Sequence, residues 1–371
     1  MAEIYLDYNA STPIDHRVAD VMRSLLDEPF GNPSSGHWAG APAKAILENA
    51  RNQVASFLGA AADEIVFTSG GSEANNLALK GTFFALRGKG DHVITQGTEH
   101  PAVLQTLHFL EQLGARVTYL AVDNHGLVDP DAVRQAISSS TILITIMHAN
   151  NETGTIQPIE AIGAIAREHG IRFHTDAAQS TGKIATSVDD LRVDLLSIAG
   201  HKLYAPKGVG ALYVRAGTLL EPLIHGAGHE HGRRAGTESA LLAAALGEAC
   251  MLATDREPMI RIRELRDYFW EQLQALYRDQ VVLNGHIEKR LPNTLNVSFV
   301  GQVGAELLAR LEGVAASTGS ACHSGRIELS PVLALMGISE HVGMGAVRFS
   351  LGRGTTREQI DAVMAQLRGV R

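Results

Sequence analysis

The sequence has little cysteine, few aromatic residues and no long apolar run. Of its 371 residues two are cysteines, and aromatic residues make up 5%. Two cysteines are too few for a disulfide scaffold or a cysteine-based zinc site, and we predict no metal site. The longest apolar run, 141–147, is far shorter than the roughly 18 residues needed to cross a bilayer. The N-terminus lacks the basic and apolar regions of a signal peptide, which predicts a cytoplasmic protein without membrane contact.

Positive charge is also scarce. Lys and Arg total 32 against 40 Asp and Glu, which gives a net charge of −8. A sequence-independent nucleic-acid binder is more often basic, so we expect no direct contact with nucleic acid. Hydrophobic residues make up 45% and charged residues 19%, which excludes intrinsic disorder. At roughly 150 residues per domain, the length indicates two domains.

What the sequence does have is a regular alternation of strand-like and helix-like segments. Strand-like segments lie at 64–68, 92–95, 116–120, 141–147, 172–176, 195–198 and 210–214. Helical patterns between them lie at 73–87, 103–113, 131–137 and 159–169. This alternation predicts an α/β fold whose mostly parallel sheet carries helices on both faces. Beyond about residue 250 we predict a smaller α+β domain, with helices at 260–276, 305–311 and 357–367 and a strand at 293–299.

A lysine and an aspartate each close one of these strands. Lys202 follows a buried strand and precedes a glycine-rich loop, where it is either a snorkelling surface residue or an amine that condenses with an aldehyde. Asp176 ends another strand at the carboxyl edge, where open α/β sheets bind ligands, and it can also cap the following helix. Pyridoxal 5'-phosphate (PLP) needs both groups, an amine for its aldehyde and a carboxylate for its pyridine nitrogen.

Two further segments supply parts of a reactive site. Residues 69–73 follow a strand and open a helix, a pattern that describes a phosphate cradle or an ordinary capped turn. The motifs of nucleotide-binding glycine loops are missing, which disfavours nucleoside triphosphates and dinucleotides. Cys322 lies among small and hydroxylic residues and is the candidate nucleophile, and the adjacent His323 could lower its pKa. Cys250 lies in an apolar helical segment and is predicted to be a core residue.

Eight short motifs follow one another along the chain. They lie at 5–13, 31–35, 67–76, 98–100, 147–154, 176–180, 200–202 and 348–352. In this order they resemble the cysteine desulfurases of the class V aminotransferase superfamily, in the group with a long cysteine loop. The resemblance implies PLP-dependent fold type I. It also implies a large PLP-binding domain at 14–252 and a small domain, 1–13 with 253–371, that carries the cysteine loop.

The resemblance implies roles for individual residues around the PLP ring. Lys202 would hold PLP covalently and later move protons, while His100 would stack on the ring and serve as an acid or base. Asp176 would pair with the pyridine nitrogen, and Gln179 would bond the ring hydroxyl. Cys322 would attack the substrate sulfur, which gives a persulfide on Cys322 and releases L-alanine.

The same resemblance assigns the phosphate and the substrate. The groups around the phosphate would come from Gly71, Ser72, His201 and Thr237. The substrate would be held by Asn9, Asn151 and Arg348, the last by a bidentate contact with its carboxylate. Ala199 stands where the family often has a serine whose hydroxyl bonds the phosphate. Because that hydroxyl is missing, Thr237, which in the family reaches across the two-fold axis of a homodimer, is expected to matter more here.

The implied activity converts L-cysteine to L-alanine, and the sulfur passes from Cys322 to an acceptor protein or a small thiol. The segment 322–333 is similar both to DNA-phosphorothioation desulfurases and to selenocysteine lyases, so a selenocysteine lyase stays open. A class V aminotransferase or lyase without persulfide chemistry also stays open, although Cys322 would then be superfluous. A PLP-fold binding protein without activity would need the lysine or the cysteine lost. The acceptor could be an iron–sulfur scaffold, a tRNA-modifying protein or a DNA-modifying complex.

Overall fold

The computed structural model describes residues 3–27, 29–318, 322–323 and 326–370, with backbone alone at 322–323 and 326–327. The strands are β1 (Ile4–Tyr5), β2 (Ile65–Thr68), β3 (His92–Gln96), β4 (Arg116–Leu120), β5 (Thr141–Thr145), β6 (Arg172–Asp176), β7 (Leu195–Ala199), β8 (Gly210–Val214), β9 (Val281–Leu283), β10 (Thr294–Phe299), β11 (Val314–Ala315), β12 (Cys322–His323), β13 (Arg326–Ile327) and β14 (Ala346–Ser350). The helices are α1 (His16–Ser24), α2 (Gly40–Leu58), α3 (Gly71–Leu86), α4 (Pro101–Gln112), α5 (Pro130–Ala136), α6 (Ile159–Glu168), α7 (Val188–Leu191), α8 (Ala240–Leu252), α9 (Glu257–Tyr277), α10 (Gly304–Ala309), α11 (Pro331–Leu335), α12 (Glu340–Gly343) and α13 (Arg357–Gly369).

Seven strands form the central sheet, in the order β2-β8-β7-β6-β5-β3-β4. β8 runs antiparallel to both of its neighbours, and the other pairs are parallel. Successive side chains of a strand point to opposite faces. Phe173 and Ile198 therefore pack on one face against α2, α6 and α8, while Leu195 and Leu212 pack on the other against α3. This confirms the predicted α/β fold with a mostly parallel sheet flanked by helices.

A second core surrounds a three-stranded antiparallel sheet in the order β14-β10-β9. Phe269 of α9 and Val363 of α13 pack on it, together with Leu6 from the start of the chain. The large core ends at Ala253, and the small core takes in Met259. This arrangement supports the domain boundaries given above, which we keep as a proposal.

The structure also differs from the sequence patterns. Helices α1 and α2 and the short helices α7, α11 and α12 were not predicted, and α8 was predicted only as a helical segment around Cys250. Half of the buried residues of α2 are alanine or glycine, so this helix produces a weak hydrophobic periodicity. The predicted strand at 141–147 ends at Thr145, because the Met147 N–H donates to the Glu99 carboxylate instead of to a neighbouring strand. Of the helices in the described residues, none has the length and apolar character to cross a bilayer.

Candidate active site

A cavity of about 570 Å³ opens at the carboxyl ends of β5, β6 and β7. Its size falls within the range of roughly 300–1,000 Å³ typical of small-molecule sites. Ten of the predicted site residues line it: Asn9, Gly71, Ser72, His100, Asn151, Asp176, Gln179, His201, Lys202 and Arg348. Thr237 is exposed and does not line this cavity. The Cys322 and His323 side chains lie outside the described residues.

Lys202 ends a short 3₁₀ turn, Gly200–Lys202, that directly follows β7. Its Nζ donates to the backbone carbonyl oxygens of Asn9 and Ala10, at 2.5 and 2.7 Å. Burial and the positive charge of Arg348 lower the pKa of the Lys202 amine to about 8. At pH 7 roughly a tenth of this amine is therefore unprotonated, and the unprotonated amine is the form that attacks an aldehyde.

Asp176 closes β6, and two hydrogen bonds fix its carboxylate. Oδ2 accepts from Asn75 Nδ2 at 2.6 Å, and Oδ1 accepts from the Ala178 backbone N–H at 2.9 Å. The expected helix cap is wrong, because a turn follows Asp176 and the Ala178 bond stabilises that turn. Since each carboxylate oxygen has about two lone-pair positions, Asp176 keeps acceptor capacity toward the cavity that it lines.

Asn75 is buried on α3 and was given no role from the sequence. We predict that Asn75→Ala weakens PLP binding about tenfold, because a hydrogen bond to a charged group contributes roughly 1.5–3 kcal/mol. Fluorescence titration of the apoprotein with PLP measures the effect. Asn76→Ala is the matched control, since the Asn76 side chain donates to the Ser72 carbonyl within the same helix. Equal affinities of the two variants would contradict the positioning of Asp176 by Asn75.

Two histidines of the cavity are neutral at neutral pH. His100 precedes α4, and its Nδ1 accepts from the Ala102 backbone N–H at 3.1 Å, so its proton lies on Nε2. The ring faces the cavity, and burial by the surrounding walls lowers its pKa. Burial, followed by the charges of Lys202 and Lys207, lowers the pKa of His201 to about 4. His201 therefore contributes an N–H dipole at this site, without a positive charge.

The N-terminus of α3 forms one wall of the cavity. Gly70 precedes the helix at a φ of 149°, a conformation that favours glycine. The first helical hydrogen bond is donated by the Ala74 N–H to the Gly70 carbonyl, so the preceding amides have no helical partner. Gly71 lies so close to Ala199 that an added Cβ would come within 3.1 Å of the Ala199 Cβ. Free amides at a 16-residue helix suit an anion such as a phosphate.

The residues present fit PLP. The cavity combines an amine of lowered pKa, a fixed carboxylate and a helix N-terminus. Lys202, Asp176 and the amides of Gly71 and Ser72 are the groups that would hold its aldehyde carbon, its ring nitrogen and its phosphate.

Arg348 faces the other side of the cavity from β14. Its two terminal nitrogens donate to the Asn151 carbonyl at 2.9 Å and to Asp7 Oδ1 at 2.8 Å. Its Nε is buried and has no hydrogen-bond partner among the described residues. The side-chain amide of Asn9 is already bonded, since its Nδ2 donates to the Asn151 carbonyl and to Thr294 Oγ1. The substrate contacts of Asn9, Asn151 and Arg348 stay predictions.

The two cysteines differ in setting. Cys250 is fully buried on α8, and burial raises the pKa of its thiol. Cys322 belongs to β12, whose backbone pairs with β13 in an antiparallel hairpin. The segment before it begins at Ser317, whose backbone pairs with that of Arg348. The segment after it ends at Ser330, whose hydroxyl donates to Glu152 at 2.6 Å.

Sequence reasoning missed several residues of this site. Asn75, Lys183 and Lys207 received no role, although Asn75 holds Asp176 and Lys207 lines the cavity. One signal was available for Asn75, since a polar residue within the buried face of an otherwise apolar helix needs a partner. Lys183 gave none, because a lysine after a glycine is typical of a surface turn.

The chain matches a known protein family over nearly its whole length. The family model described as aminotransferase class-V matches residues 4–363. The cysteine desulfurase IscS of Dictyoglomus turgidum is 50% identical over 364 residues, which cover 97% of this chain and 92% of that protein. The cysteine desulfurase IscS of Serratia proteamaculans is 46% identical over 372 residues, which cover 98% and 92%.

Solved structures agree with these relatives. A NifS-like protein superimposes with a TM-score of 0.93 at 35% identity and covers 99% of both chains. SspA in complex with cysteine gives 0.85 at 40% identity and covers 95% of this chain and all of the other. DndA from Streptomyces lividans gives 0.79 at 35% identity, with coverages of 92% and 97%.

Proposed function

This chain belongs to the aminotransferase class-V family and is a PLP-dependent enzyme, and from that premise we propose that it is a cysteine desulfurase that takes sulfur onto Cys322. One observation carries the proposal: Lys202, Asp176 and Arg348 share one cavity, and the cysteine segment starts at the Arg348 backbone. Cys322 lies five positions after Ser317, and a chain of that length spans at most about 18 Å. This length fits the proposal that the Cys322 thiol reaches the cavity.

PLP supplies an electron sink for bonds at the substrate's α-carbon. Asp176, held by Asn75, would keep the ring nitrogen protonated. Lys202 would hold the cofactor aldehyde and carry protons, a role that its pKa of about 8 suits. His100, with its proton on Nε2, can donate a hydrogen bond into the cavity.

The proposed sulfur transfer needs no external oxidant or reductant. The Cys322 thiolate attacks the substrate sulfur, so that a sulfur–sulfur bond forms while the substrate carbon–sulfur bond breaks. The electron pair of the broken bond remains with the substrate carbon, which then accepts a proton and becomes the methyl group of L-alanine. The proton lost by the Cys322 thiol balances the proton gained by the carbon, and the proton of the substrate thiol remains on the persulfide.

The assay that tests this function incubates the PLP-bound protein with L-cysteine and a reducing thiol. We expect equal amounts of L-alanine and sulfide. When a keto acid is supplied as well, its consumption without sulfide release would identify an aminotransferase. When L-selenocysteine is supplied in a parallel reaction, its turnover without turnover of L-cysteine would identify a selenocysteine lyase. An acceptor protein for the persulfide belongs to the same proposal. SspA and DndA among the solved structures make a DNA-modifying acceptor one candidate to test.

We also propose a homodimer in which Thr237 completes the partner's phosphate site. Thr237 is exposed, and ion pairs tie the segment before it to the body of the protein. Arg234 Nε donates to Glu73 Oε1 at 2.8 Å, and Glu230 accepts from the buried Arg51 at 2.6 and 2.8 Å. This segment is thus held beside α3, while Thr237 is exposed and does not line the cavity of its own chain.

Thr237→Ala should lower PLP affinity about tenfold to a hundredfold, since it removes a hydrogen bond to a charged group. Ala199→Ser should raise it, because the serine restores a hydroxyl beside Gly71. Equilibrium titration with PLP measures both variants. Mixed dimers of Thr237→Ala and Lys202→Ala chains should recover one site of normal affinity, because the chain that keeps Lys202 then faces an intact Thr237. If the mixed dimers show only sites of reduced PLP affinity, Thr237 contributes to the site of its own chain or to no site.

A further inference from the structure

A second buried lysine lies behind the wall of the cavity. Lys183 follows β6 and is 8% exposed. Its Nζ donates to Gln179 Oε1 at 2.9 Å and to Asn9 Oδ1 at 3.1 Å. No carboxylate pairs with it in the described part of the chain. Burial, together with the positive charges of Lys202 and Arg348, holds the pKa of this amine well below its ordinary value. A lysine buried at this cost without an acid is uncommon and points to a specific role for its N–H groups.

Two contacts determine which way the Gln179 amide faces. Oε1 accepts from Lys183, and Nε2 donates to the Asn9 backbone carbonyl at 3.0 Å. Reversing the amide would place its N–H₂ against the lysine donor and its oxygen against a carbonyl oxygen. Both contacts would be lost together. Nε2 carries two hydrogens, so one N–H remains for the cavity that Gln179 lines.

Lys183 fixes the Asn9 amide in the same way. Asn9 Oδ1 accepts from Lys183 and from Asn293 Nδ2, the latter at 2.9 Å. Asn9 Nδ2 therefore faces the Asn151 carbonyl, which also accepts from Arg348. Lys183 thus bonds Gln179 on the cofactor side of the cavity and Asn9 on the substrate side.

We propose that Lys183 is a positioning residue that holds the Gln179 amide from behind, so that a Gln179 N–H faces the ring oxygen of bound PLP. The inference rests on the proposed function in one respect, that PLP occupies this cavity. An N–H donor facing the ring oxygen favours the anionic form of that oxygen. Loss of the donor therefore makes the bound cofactor hold its proton more tightly.

Lys183→Met tests the inference, because methionine is apolar and has a similar length. The visible absorbance of the PLP-bound protein is titrated with pH. We expect the midpoint to rise, with about a tenfold gain in proton affinity, since a hydrogen bond to an anionic oxygen is lost. Gln179→Ala should raise the midpoint similarly. In the Gln179→Ala background, Lys183→Met should add little, because its effect passes through Gln179.

The controls separate positioning from charge and from folding. Lys89→Met removes an exposed lysine and should leave the midpoint unchanged. If Lys183→Met does not fold, Lys183→Gln keeps an N–H donor and should lie between wild type and Gln179→Ala. An unchanged midpoint in a Lys183 variant that binds PLP would overturn the inference, and so would a full additional rise in the Gln179→Ala background. A wild-type protein that binds no PLP would overturn the proposed function, and the inference with it.

Discussion

Replacing Lys202 by alanine is expected to abolish L-alanine formation from L-cysteine. The variant loses the amine that binds the cofactor aldehyde and the group that moves protons between substrate atoms. Proton transfer by a positioned side chain contributes about 10²–10⁴-fold by itself. Burial and the positive charge of Arg348 lower the pKa of the Lys202 amine to about 8, so this amine can lose and regain a proton near neutral pH. Chromatographic measurement of L-alanine gives the rate.

Borohydride reduction provides an independent readout for Lys202. In the wild type it should fix PLP to the peptide that contains Lys202, and in Lys202→Ala it should fix none. Lys89→Ala serves as the control, because Lys89 is exposed and lies away from the cavity. L-alanine formation by Lys202→Ala at the wild-type rate would refute the assignment of this lysine.

Cys322→Ser is expected to keep PLP and L-cysteine binding and to lose persulfide formation. A serine hydroxyl is not ionised near neutral pH, whereas a thiol is partly ionised and is intrinsically more nucleophilic. Rates of sulfide release and the spectrum of the protein mixed with L-cysteine separate binding from transfer. We expect the spectrum to respond to L-cysteine in the variant while sulfide falls to background.

Cys250→Ala is the matched control for Cys322→Ser. Cys250 is buried in the large core and its thiol has a raised pKa, so its removal should leave sulfide release unchanged. Its cost should appear as lower stability, since a small cavity opens in the core. Sulfide release that survives in Cys322→Ser and disappears in Cys250→Ala would reverse the two assignments.

The sequence predicted the sheet better than the helices. Strands such as β6 and β7 are short, β-branched or apolar and end in turn residues, so local patterns identify them. α2 was missed because half of its buried residues are alanine or glycine, which give a weak hydrophobic pattern. The Met147 N–H donates to the buried Glu99 while Ile146 and His148 still donate to β6, a contact between distant segments that no local pattern contains.

The site was predictable to the extent that its residues occur in motifs. Asn9 and Arg348 lie at opposite ends of the sequence, and the motifs placed both in one site, which the cavity supports. The family model confirms the superfamily read from those motifs, and the relatives named cysteine desulfurase support the proposed activity. Asn75 and Lys183 act on other side chains, so their roles depend on packing that appears only in three dimensions. The roles of Thr237 and Cys322 stay predictions.

The measurement that most directly tests the account is mass spectrometry of the PLP-bound protein after brief incubation with L-cysteine and alkylation. The account predicts one additional sulfur atom on the peptide that contains Cys322, none on the peptide that contains Cys250, and one L-alanine for each sulfur bound. L-alanine formed while the Cys322 peptide carries no additional sulfur would contradict it.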